Sequence, residues 1–110
     1  MDRWLIAVQT NCTDPSREQE FQHWYDHTHI PDVLTVPGLV RVTRYENVTP
    51  GEQSARFLTL LEVEADDIWP VTAALQQNKA AAEKEGRITD LLQMVNGALY
   101  RRISGPHDKK

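Results

Sequence analysis

Apolar positions along this chain fall into four short strand-like runs, with two longer stretches of helical spacing between them. WLIAVQT at 4–10 reads as a strand that is apolar on both faces, Trp4, Ile6 and Val8 on one side and Leu5 and Ala7 on the other. TDPSREQEFQHWYDHTH at 13–29 reads as a helix, with Asp14 as its N-cap and Pro15 at the first helical position. LVRVTRYENV at 39–48 and ARFLTLLEVE at 55–64 form a second and third strand, joined through the turn-rich TPGEQS as an antiparallel hairpin. A second helix covers 66–86, where Ile68, Val71, Leu75 and Ala82 recur at helical spacing and Pro70 is tolerated in the first turn. LLQMVNGALYRRI at 91–103 gives the last strand. SGPHDKK at 104–110 is a polar tail with no reason to be ordered, so one domain is expected over 1–103.

The order β-α-β-β-α-β predicts an α+β, ferredoxin-like antiparallel sheet with two helices on one face. The other face of such a sheet is polar in a monomer. Here Leu58 and Leu60 oppose Phe57 and Leu61 in the third strand, and Val95 and Leu99 oppose Met94 and Ala98 in the fourth. A sheet that is apolar on both faces needs a second cover, so a homodimer packed sheet to sheet is expected.

Charge and cysteine usage narrow the function. The net charge of −4 and the scattered basic residues give no footprint for nucleic acid or an anionic membrane. No apolar run is long enough to span a bilayer, and MDRWLIAVQT lacks the apolar core of a signal peptide, so a cytoplasmic location is expected. With that location, the NCT and NVT sequons at 11–13 and 47–49 carry no weight. Cys12 is the single cysteine, and with no basic partner in reach it reads as inert.

The chemistry concentrates in HWYDHTHIPD at 23–32. On a helical wheel Trp24, Tyr25 and His29 lie on the side of Phe21, whereas His23, Asp26 and His27 point the other way. Pro31 is expected to end the helix near His29, leaving free carbonyls that favour imidazolium and hold its pKa near or above about 6.5. Asp32 is then placed to turn back and orient the ring. His29 moving a proton, Asp32 orienting it and Tyr25 donating a hydrogen bond make a general acid–base set. A plainer reading fits the same residues: His29 caps its own helix. His23 and His27 share the H-x-x-x-H spacing of a zinc site, but Trp24 stands where the glutamate belongs and no third ligand is evident, so no metal is expected. Trp4, Trp24, Tyr45, Phe57, Met94 and Tyr100 are expected as core and as the substrate-binding wall of a cavity.

EFQHWYDHTHIPDVLTVPGLVRVTRY at 20–45 resembles the signature of the EthD-like group of dimeric α+β barrel proteins, with Trp24, Tyr25, His29, Pro31, Pro37 and Gly38 at the matching positions. The resemblance implies the dimeric α+β barrel fold. Its superfamily includes polyketide cyclases, muconolactone isomerases, cofactor-free quinone-forming monooxygenases and haem-binding enzymes, and fold does not choose among them. After His29 the only further histidine is His107, in the tail, which disfavours a haem ligand in the second half. The expectation is a cofactor-independent enzyme for a hydrophobic cyclic or aromatic carbonyl-containing molecule: a cyclase, dehydratase, isomerase or monooxygenase. The alternatives are a non-catalytic ligand-binding partner of a cytochrome P450-type oxygenase and a haem protein using His29.

Overall fold

A computed structural model describes residues 1–49, 51 and 54–110. The elements run β1 (Asp2–Cys12), a 3-10 turn (Pro15–Arg17), α1 (Glu18–Trp24), a π turn (Tyr25–His29), α2 (Ile30–Val33), β2 (Leu39–Glu46), β3 (Phe57–Ala65), α3 (Trp69–Lys84) and β4 (Leu92–Arg101). The sheet order is β2-β3-β1-β4, and every neighbouring pair is antiparallel. This is the ferredoxin-like arrangement, with both helical segments on one side of the sheet. The turn expected over 49–54 lies partly outside the described residues. No helix among the described residues is long and apolar enough to cross a membrane.

Local chemistry explains where the helices begin. The Asp14 carboxylate accepts from the Ser16 backbone N–H at 3.0 Å and from the Ser16 hydroxyl at 2.7 Å, while Pro15 opens the 3-10 turn. Pro70 lies in the first turn of α3, where its missing N–H has no partner to lose. Gly38 links α2 to β2 at φ +98°, a backbone conformation that favours glycine, and a Cβ there would also crowd Val71 Cγ2 at 3.2 Å.

Alternation along the strands sorts the side chains onto two faces. Ile6, Leu61 and Val63 pack with Val33, Val36, Ile68 and Val71 into the larger core. Phe21, Tyr25, Phe57 and Leu91 form a second cluster near the other end of the sheet. On the opposite face Leu5, Ala7, Leu58 and Leu60 are half-buried with no helix over them. Beside them Tyr45 and Tyr100 are 52% and 55% exposed.

Two expectations are corrected. The first helix does not end at His29; a π turn carries it past Pro31 to Val33. The faces of the last strand are also reassigned. β4 pairs Asn96 with Gln9 and Met94 with Thr10, so Val95 is an extra, bulged residue. Directly opposed residues share a face, which puts Met94 and Leu99 on the helix side and Ala98 and Tyr100 on the open side.

Candidate active site

The site is built around the π turn. Pro31 cannot donate to the carbonyl of His27, and its ring would crowd that carbonyl in an α-helix. The chain opens by one residue instead, and the Ile30 N–H donates to the carbonyl of Tyr25. This has a geometric consequence. Trp24 and His29 would stand about 140° apart around an α-helix. In the wider turn they stack, with ring centroids 5.0 Å apart and planes 16° from parallel. Tyr25 meets His29 edge-on at 4.9 Å and 79°.

These three rings form one wall of a cavity of about 340 Å³ between the sheet and the helices. Ile6, Val8, Val42 and Leu61 make its apolar floor, and Leu92 and Met94 of β4 extend it. Further polar groups come from Thr59 of β3, from Asn78, Lys79 and Glu83 of α3, and from Arg87 and Thr89 just after it. The volume is at the small end for a ligand pocket, and the mix of apolar walls with few polar groups is usual for one.

Burial sets the protonation states. His29 is pushed down from 6.5 to about 4, first by desolvation and then by the positive charges of Arg44 and Lys79. The imidazolium expected from free helix-end carbonyls is therefore not the resting form, because the helix does not end there. Near pH 7 the ring is neutral and can accept a proton. Tyr25 is 2% exposed, and burial holds its hydroxyl above the ordinary phenol value, so it stays a donor. The Thr59 hydroxyl donates to the Tyr25 oxygen at 2.9 Å, which leaves the phenolic proton for another acceptor.

Asp32 does not reach His29 through a hydrogen bond among the described residues. Its carboxylate pairs with the Arg87 guanidinium, which also binds Glu85. Asn78 Nδ2 donates to the Asp32 carbonyl at 3.2 Å, and Trp24 Nε1 donates to the Arg87 carbonyl at 3.1 Å. Asp32 and Trp24 thus both fasten the segment after α3 against the cavity.

Of the expected wall residues, Trp24 and Met94 line the cavity. The other four lie elsewhere. Tyr45 pairs with Leu58 and Tyr100 with Leu5, which puts both on the open side of the sheet. Phe57 is buried against Phe21, Tyr25 and Leu91, below the cavity rather than on it. Trp4 packs on the larger core and donates to the Ala65 carbonyl at 2.9 Å, at the far end of β1. His23 and His27 are exposed, with ring centroids 4.4 Å apart. Among the described residues no three potential ligands come together for a metal.

The sequence reading missed Thr59, Asn78, Lys79, Arg87 and Arg44. Two left a signal. Thr59 interrupts the apolar alternation Phe57, Leu61, Val63, and Arg44 follows Val42 on the covered side of β2. The others reach the cavity only through the packing of α3 and the segment after it, which spacing does not encode.

No protein-family model matches the chain, and no curated protein is significantly similar to it. Its fold does match solved structures. HapK from Hahella chejuensis superimposes with a TM-score of 0.69 at 10% identity, covering 97% of this chain and 99% of that one. SnoaB from Streptomyces nogalater, a cofactor-independent oxygenase, gives 0.66 at 11% identity over 98% and 100% of the two chains. An ethyl tert-butyl ether degradation (EthD) family protein from Bacillus halodurans gives 0.55 at 21% identity over 94% and 100%. Other matches are described as dimeric ferredoxin-like proteins. Across its length, then, this chain has a ferredoxin-like fold, shared with SnoaB, with an EthD family protein and with dimeric ferredoxin-like proteins.

Proposed function

We propose that this protein is a small cofactor-independent enzyme that moves a proton on a hydrophobic cyclic or aromatic carbonyl-type molecule. The observation that carries the reading is a neutral, largely buried imidazole on the wall of an apolar cavity, beside a protonated phenol. His29 takes a proton activated by a carbonyl or a phenol, and Tyr25 donates to the oxygen on which negative charge develops. A weak base suits this step only where the product of proton transfer is an anion, because imidazolium and anion then stabilise each other inside the cavity. Enolates and polycyclic phenolates meet that condition. Cyclisation, dehydration and isomerisation follow from the first, and oxygen chemistry with electrons from the substrate follows from the second. SnoaB, a cofactor-independent oxygenase on this fold, supports the oxygenase branch.

The working unit in this reading is a homodimer, with the open sheet faces of two copies packed together; the dimeric ferredoxin-like matches support it. A second reading, a non-catalytic carrier of a hydrophobic ligand for an oxygenase, is favoured by one observation. The carboxylate best placed in sequence to orient His29 is taken by Arg87. A haem fits less well than either, because a cavity of about 340 Å³ holds no tetrapyrrole without widening.

The test uses an anthrone and an aromatic β-polyketone as probes, following oxygen uptake and the ultraviolet spectrum with wild type and His29→Ala. The proposal expects turnover of one probe by wild type and a loss of about a hundredfold or more in the folded variant. Turnover unchanged in His29→Ala overturns the role of His29. Binding of both probes without turnover selects the carrier.

A further inference from the structure

Arg44 is the least explained side chain near the cavity. It stands on the helix-covered side of β2, opposite Thr59 on β3, the residue whose hydroxyl holds the Tyr25 oxygen. Its guanidinium carbon lies 4.1 Å from the centroid of the Tyr25 ring, with the Phe57 and Phe21 rings at 5.6 and 6.0 Å. Its side chain is 14% exposed, and Asp26 accepts from Nη1 at 3.1 Å. Its Nε is buried and meets no acceptor among the described residues. A charged group buried with one donor unmet costs free energy that a leucine or methionine in the same aromatic cage would avoid. The charge therefore needs a reason other than packing.

The rings supply one. Arg44 lies over Tyr25, Tyr25 meets His29 edge-on, and His29 stacks on Trp24. We propose that Arg44 is a positioning residue: its cation fixes the Tyr25–His29–Trp24 stack and supplies the positive field in which a substrate anion is stabilised. Other charges face His29 as well. Lys79 and Glu83 of α3 line the same cavity, and Arg87 is balanced there by Asp32 and Glu85. Asp26, on the same helical segment as His29, is the partner of Arg44. Of the two cations named as acting on His29, Arg44 is the less exposed and the one tied to Tyr25. The inference rests on His29 and Tyr25 as the acting pair.

The test is the His29 ring titration by NMR in the full-length protein, without substrate, in wild type, Arg44→Met, Arg44→Lys and Asp26→Asn. Removing the cation is expected to raise the His29 midpoint by about half a unit or more. Arg44→Lys keeps the charge and is expected to hold the midpoint within about 0.3 unit. Asp26→Asn removes the counter-charge and is expected to lower it. A purely structural role predicts another pattern, because loosening the cage admits water and raises the midpoint in both Arg44→Met and Asp26→Asn. Shifts in the same direction, or no shift in either, overturn the proposal. If Arg44→Met does not fold, the sign of the Asp26→Asn shift decides alone. No substrate enters the measurement, so its outcome stands apart from turnover in His29→Ala.

Discussion

The two faces of the sheet teach different lessons although both are apolar. On the covered face each aromatic ring has a partner with a defined geometry, and the polar atoms beside them are tied to one another: Thr59 to Tyr25, Trp24 to the Arg87 carbonyl, Arg44 to Asp26. On the open face Leu5, Leu58, Leu60, Tyr45 and Tyr100 lie side by side with no helix over them among the described residues. Apolar surface alone does not make a site. Convergent polar groups with fixed partners do, and on the covered face they meet around the cavity. The open face carries its ion pairs, Arg3 with Glu64 and Arg41 with Glu62, beside an exposed apolar patch.

Substitutions on the two faces should therefore fail in different ways. Phe21 has no exposed surface and touches Trp24, Tyr25 and Phe57, so Phe21→Ala is expected to cost about 3–5 kcal/mol at any protein concentration. Chemical denaturation at two dilutions checks this; a cost that changes with dilution would assign Phe21 to the assembly instead. The next effect is on pH dependence. The folded pKa of His29 is about 4 against an ordinary 6.5, so the unfolded chain takes up the proton first. Its contribution is complete above pH 6.5, is lost as the pH falls toward 4, and is constant below that. At about 1.4 kcal/mol per unit the loss is at most about 3.5 kcal/mol. Denaturation of His29→Gln across that window should lack this slope, and a slope equal to that of wild type would remove His29 as its source. The smallest effect on the chain belongs to the open face. Leu60→Arg is expected to change the stability of the isolated subunit by about 0.5 kcal/mol or less. Light scattering should nonetheless record a fall from dimer to monomer mass; a dimer that survives the substitution does not use this face.

Much of the architecture was legible because it depends on alternation and spacing. Both sheet faces, the element order and the burial of Phe21 and Tyr25 follow from residue type at period two or near four. The departures trace to single residues whose effect is not periodic. Pro31 was legible as a disruption, yet whether a helix stops or widens at a proline depends on whether the residues beyond it have a core to reach. Val33 does, at 6% exposure, and so the helix continues. The bulge at Val95 reverses the faces along part of an otherwise regular strand, which alternation by itself cannot foresee. Asp32 was drawn toward the nearest histidine in sequence, whereas Arg87, 55 positions away, is its partner in space. Short-range reasoning favours short-range partners, and the candidate site is mostly assembled at long range.

A π turn is a helix that carries one residue more than its turns require. Removing one residue between Tyr25 and His29 would restore the α-helical register and set the imidazole four positions from Trp24, about 40° around the axis, so the two rings would keep one face. The sheet and α3 contain no part of that segment. In evolutionary terms the π turn reads as a one-residue insertion whose wider turn holds together a stack that an α-helix of the original length would also allow. A relative that keeps the tryptophan, the tyrosine and the histidine but is shorter by one between them would carry the same stack on an unbroken α-helix.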